Sequence, residues 1–101
     1  MNTGISLKTL QEINQVFEKY PIITQVKLYG SRALGTYHER SDIDLVVFGA
    51  DIDRFTIARV LLDFDDLDIP FMIDLQNYHD LKNPQLIEHI DRVGTTIYSL
   101  K

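Results

Sequence analysis

Residues 30–48 run Gly30-Ser31-Arg32-Ala33-Leu34-Gly35-Thr36-Tyr37-His38-Glu39-Arg40-Ser41-Asp42-Ile43-Asp44-Leu45-Val46-Val47-Phe48. The later part, Asp42 to Phe48, is the best strand in the chain, a β-branched and apolar run closed by Gly49. Side chains alternate along a strand, so Asp42 and Asp44 share a face, with Cα atoms roughly 6.5 Å apart. Carboxylates at that spacing can grip one or two divalent cations, and Mg²⁺ takes one or two of them together with substrate phosphates. An isolated Asp-x-Asp at a strand entrance is more often a solvated turn edge, so the pair needs company to signify chemistry.

That company begins at Gly30-Ser31. The preceding run, Ile23 to Tyr29, reads as a strand that Gly30 ends. Glycine at a strand end lets backbone N–H groups approach a ligand closely, and the Ser31 hydroxyl can donate to phosphate oxygens. Arg32 adds a permanent cation suited to phosphate. Taken alone, Gly-Ser here is a tight turn, and the stretch lacks the Lys of a P-loop. Geometry joins the pieces. The loop between the strands is barely long enough for a parallel crossover, which needs about a dozen residues, whereas an antiparallel return is easy. Such a return sets Gly30 and Ser31 beside Asp42 and Asp44 at one sheet edge.

A third element is Asp74, in Phe71-Met72-Ile73-Asp74-Leu75, a short strand introduced by Pro70. A carboxylate inside an apolar strand must be paired, bind a metal or face water. Pairing of this strand beside Asp42–Phe48 would complete a three-carboxylate cluster, able to bridge two metals about 3.5–4 Å apart. Asp74 is then the candidate general base.

Around this centre the chain alternates helices and strands. Ser6 can cap a helix to about Tyr20, with Leu7, Leu10, Ile13, Val16 and Phe17 at helical spacing and Pro21 as its stop. Asp53 can cap a second helix through Phe64, a third follows Pro84, and Thr96 to Leu100 fits an edge strand. The expectation is a single domain over residues 1–101, a sheet with helices packed on it. The chain holds 10 Lys and Arg against 15 Asp and Glu, a net charge of −5. That balance argues against direct nucleic-acid binding, which needs a basic face. There is no cysteine, hence no disulfide, thiolate metal site or thiol nucleophile. No apolar run approaches the ~20 residues that span a bilayer, and no signal-like start is present. No membrane association and a cytoplasmic location are therefore expected.

Gly30-Ser31-Arg32-Ala33-x-Gly35, then Ser41-Asp42-x-Asp44-Leu45, then Asp74, resembles the nucleotidyltransferases of the DNA polymerase β superfamily. The short chain looks like the minimal nucleotidyltransferase (MNT) family within it, over most of its length but not the last 25 or so residues. The resemblance implies a polymerase-β-like fold of the α+β class, a small mixed β-sheet flanked by helices, with two Mg²⁺ ions and ATP or another nucleoside triphosphate as substrate. Asp42 and Asp44 would be metal ligands and Asp74 a ligand and base. Gly30 and Ser31 would contact the triphosphate, with Arg32 as a further phosphate contact. It also implies a HEPN-domain toxin as partner, with this chain as antitoxin transferring AMP from ATP to a tyrosine hydroxyl of the toxin. Larger relatives carry a further domain that supplies the base and acceptor; here the acceptor is expected from a partner. Assembly as a homo-oligomer or hetero-oligomer stays open.

Other residues draw plainer readings. His38, His79 and His89 lack mutual ligand spacing and read as surface or capping histidines. Asp63, Asp65, Asp66 and Asp68 read as a solvated helix end, Tyr29 as core packing and Arg40 as a solvated loop arginine. Two rival functions remain: a module that neutralises its partner by docking alone, and a transferase acting on a small molecule.

Overall fold

The computed structural model describes residues 3–100. Helix α1 spans Leu7–Glu18, and the Ser6 hydroxyl accepts the Thr9 N–H at 3.1 Å to start it. Its apolar stripe buries Ile13, Val16 and Phe17. Strand β1 (Gln25–Tyr29) leads directly into a single helical turn, α2 (Gly30–Leu34), and then through a loop to β2 (Ile43–Phe48). Helix α3 (Arg54–Asp65), capped by Asp53, crosses over to β3 (Ile73–Asn77). A 3-10 turn over Tyr78–Asp80 precedes α4 (Pro84–Val93), whose first amides are capped by Asn83, and β4 (Thr95–Ser99) closes the chain.

The strands form one mixed sheet in the order β3-β2-β1-β4. β1 pairs antiparallel with both β2 and β4, while β2 and β3 run parallel. The α+β class, the antiparallel return and the terminal edge strand match the sequence expectation. Most boundaries shift by a residue or two: α1 ends at Glu18, β2 starts at Ile43 rather than Asp42, and β4 spans Thr95–Ser99. β1 starts at Gln25 rather than Ile23, because the Ile23 N–H closes a turn onto the Tyr20 carbonyl. β3 starts at Ile73 rather than Phe71 and runs on to Asn77, the Phe71 ring lying against the Arg32 guanidinium at 4.4 Å.

Pleating sorts the core. Val26, Leu28, Ile43, Leu45, Val47 and Leu75 point to the face covered by α1 and α3. There Phe17 meets Phe64 edge-on, with ring centroids 5.5 Å apart. On the other face Tyr29 and Val46 pack on Ile90 of α4, and Phe48 stacks on Tyr78. Among the described residues, no helix is long and apolar enough to cross a membrane.

Candidate nucleotidyl-transfer site

Strand register builds the site. Tyr29 lies opposite Asp44 across β1 and β2, and Asp44 lies beside Asp74 across β2 and β3. Tyr29, Asp44 and Asp74 therefore form a row across three strands, on the face away from α1 and α3. Asp42 lies just before β2 begins, close enough for its charge to act on Asp44. The antiparallel turn brings the end of β1 to the start of β2, and the parallel crossover brings the start of β3 there too. Gly30, Ser31, Asp42, Asp44 and Asp74 thus gather at one margin of the sheet.

Gly30 has a φ of +75°, and a Cβ there would collide with Oδ2 of Asp44. Only glycine permits both that backbone conformation and that approach. Asp44 is half-buried, while Asp42 and Asp74 are exposed. Burial pushes the Asp44 carboxyl above its usual range, helped by the negative charges of Asp74 and Asp42 and opposed by His89 and Arg32. The Tyr29 hydroxyl donates to Oδ2 of Asp74 at 3.4 Å, as does the Gln76 amide. Burial, reinforced by Asp74 and Asp44, raises the Tyr29 phenol far above its usual value.

The donor set suits a hard divalent cation: three carboxylates near enough for two of them to disfavour charge on the third. As placed they do not close around a point; among the described residues, no three His, Cys, Asp or Glu side chains form a ready-made metal cage. Such a set needs further ligands, and triphosphate oxygens supply them.

Arg32 departs from the sequence expectation. It is 1% exposed, and its guanidinium donates inward, from Nε and Nη2 to the Ser41 carbonyl (3.1 and 2.8 Å) and from Nη1 to that of Thr3 (2.8 Å). The rings of Phe71 and Tyr37 flank it. These bonds tie the backbone of Thr3 to the loop that delivers Asp42, so Arg32 clamps the scaffold here. Ser31 is half-buried in the first turn of α2, next to Gly30.

Sequence reasoning undervalued His89. It does cap, but what it caps is the site: Nε2 accepts the Gly30 N–H at 3.1 Å. The signal in the sequence was its place in the stripe Leu86, His89, Ile90, Val93, which turns the imidazole toward the sheet.

A family profile described as Polymerase beta, Nucleotidyltransferase matches residues 11–101. The chain belongs to that family. Among solved structures, a toxin–antitoxin with AMP-PNP superposes with a TM-score of 0.73 at 21% identity, covering 91% of this chain and 74% of that one. The MntA-HepT toxin–antitoxin gives 0.67 at 18% identity over 94% of this chain and 74% of that one. A tri-AMPylated Shewanella oneidensis HEPN toxin in complex with MNT antitoxin gives 0.65 at 19%, over 90% and 70%. At these identities the likeness is one of fold. No curated protein sequence matches the chain.

Proposed function

We propose that this chain is a single minimal nucleotidyltransferase domain that moves AMP from ATP to a hydroxyl, a tyrosine of a HEPN-type toxin, and thereby acts as a cytoplasmic antitoxin. The observation that carries it is the gathering of Asp42, Asp44 and Asp74 opposite Gly30 at one sheet margin. Kinship in fold with structures that contain AMP-PNP or an AMPylated HEPN toxin points to the same donor and acceptor.

In this reading Asp42 and Asp44 hold Mg²⁺, with Asp74 as a further ligand. The bound ions would neutralise phosphate charge and favour ionisation of the acceptor hydroxyl. The Gly30 amide and the Ser31 hydroxyl, at the start of α2, hold the triphosphate in line with the acceptor. The acceptor oxygen forms a bond to the α-phosphorus as the bond to the bridging α–β oxygen breaks, releasing pyrophosphate. Asp74, the most exposed end of the row, takes the hydroxyl proton. Asp42 and Asp74 stand exposed at this margin, which suits a protein acceptor docking from outside.

Incubation with labelled ATP, Mg²⁺ and the HEPN-type partner is expected to label the partner. Label that persists in the Asp42→Asn/Asp44→Asn double variant would overturn the metal-binding roles of these two carboxylates. Neutralisation of the toxin in cells by that same variant would instead establish docking as the mode of action.

A further inference from the structure

The transfer proposed above gives His89 no role, yet its imidazole occupies the Gly30 amide, a donor that reading assigns to the triphosphate. The first amides of any helix lack intrahelical acceptors. In α2 the N-cap residue, Tyr29, makes no side-chain capping bond. The half-buried Gly30 N–H is instead satisfied by Nε2 of His89, reaching across from α4. The packing of α4 holds the imidazole there. It stands edge-on to Tyr29, with ring centroids 6.1 Å apart and planes at 78°, and its neighbour Ile90 is fully buried. Acceptance at Nε2 leaves the ring proton on Nδ1.

We propose that His89 is a positioning residue that sets nucleotide affinity by occupying the Gly30 amide, so that a triphosphate oxygen binds by displacing the imidazole. The inference rests on the reading that Gly30 receives the triphosphate. A neutral imidazole and an anionic phosphate oxygen compete for one donor. Charge-assisted bonds are roughly twice as strong as neutral ones, so the exchange runs toward nucleotide. The bond that is broken still subtracts from the net affinity. From the usual worth of one such bond, removing the competitor tightens nucleotide binding roughly two- to ten-fold. In the nucleotide-free protein the imidazole also keeps a half-buried amide from standing without an acceptor.

The test is calorimetric titration of the whole chain with AMP-PNP and Mg²⁺, comparing the native protein with His89→Ala and His89→Gln. Glutamine returns an oxygen acceptor near the position of Nε2. Tighter binding in His89→Ala, by roughly two- to ten-fold, with His89→Gln near the native value, is the expected result. Unchanged or weaker binding in His89→Ala, or equal tightening in both variants, overturns the proposal while leaving the triphosphate reading intact. A native protein that binds no AMP-PNP sinks the triphosphate reading and this inference with it. Independently, the Gly30 amide resonance of nucleotide-free protein must move in His89→Ala, and a stationary resonance refutes the contact.

Discussion

The two faces of this sheet are written by alternate residues of the same strands, yet they differ in kind. Along β2, Ile43, Leu45 and Val47 are all fully buried beneath α1 and α3, each a helix of 12 residues. Along the same strand, Asp44 is half-buried, Val46 is fully covered and Phe48 half-covered. Helix α4 with its 10 residues packs over Tyr29 and Val46 and leaves the margin at Asp42, Asp44 and Asp74 open. A closed apolar face fixes the register, since a slip by one residue would turn every carboxylate into the core. The open face can then keep charges that folding alone would disfavour. Stability resides on one side of the sheet and chemistry on the other.

The sharpest way to test that division is to remove one charge from the open face. Asp44→Asn should lower AMP transfer by about 10³-fold, the scale of several kcal/mol at 1.36 kcal/mol per decade. Without metal it should melt no lower than the native protein, because burial and two like charges already disfavour the Asp44 carboxylate. Single-turnover labelling and thermal unfolding in EDTA check the two halves. The reverse cut is Phe17→Ala on the closed face, where the ring meets Phe64 and Tyr98. It should cost about 3–5 kcal/mol by urea unfolding, with transfer per folded molecule unchanged.

Arg32 tests the border between the faces. Arg32→Leu leaves the Ser41 carbonyl without its donors, a loss of about 1–3 kcal/mol in stability. Nucleotide affinity of the folded variant should move little. A loss of AMP-PNP binding as large as that of Ser31→Ala would restore Arg32 to the phosphates.

Arg32 also shows where sequence reading runs short. The carboxylates were legible because period-two alternation and an antiparallel return are local rules, and together they align Asp42, Asp44 and Gly30. Asp74 followed from the oddity of a charge in an apolar strand. A glycine-serine-arginine run looks like a phosphate cradle, but whether a guanidinium turns outward depends on distant partners. Thr3, Ser41 and Phe71 draw this one inward, and no local spacing encodes those three contacts. For His89 the stripe gave its face but not its partner: 59 residues separate it from Gly30, and only the packing of α4 over the sheet brings them together. Phe71 lies outside the strand expected to hold it, with its ring against Arg32.

The smallest expected effect is a pair of opposed pH slopes, one from each kind of carboxylate. Asp53 caps α3 by accepting the Thr56 N–H at 2.8 Å, and that bond, with the one from the Thr56 hydroxyl, lowers its pKa. A lowered folded pKa means the cap's contribution is complete above the ordinary value of 3.8 and is lost as pH falls through the folded one. Asp44 runs the other way. Its folded pKa is raised, so the folded state takes up the proton first, and acidification from neutrality toward 3.8 relieves a cost. In EDTA, Asp44→Asn should therefore remove a gain in urea midpoint on mild acidification. Asp53→Asn, which can still cap, should remove a loss at lower pH. Identical slopes in both variants would mean that the open face carries no electrostatic strain, and the contrast between the faces would be one of covering alone.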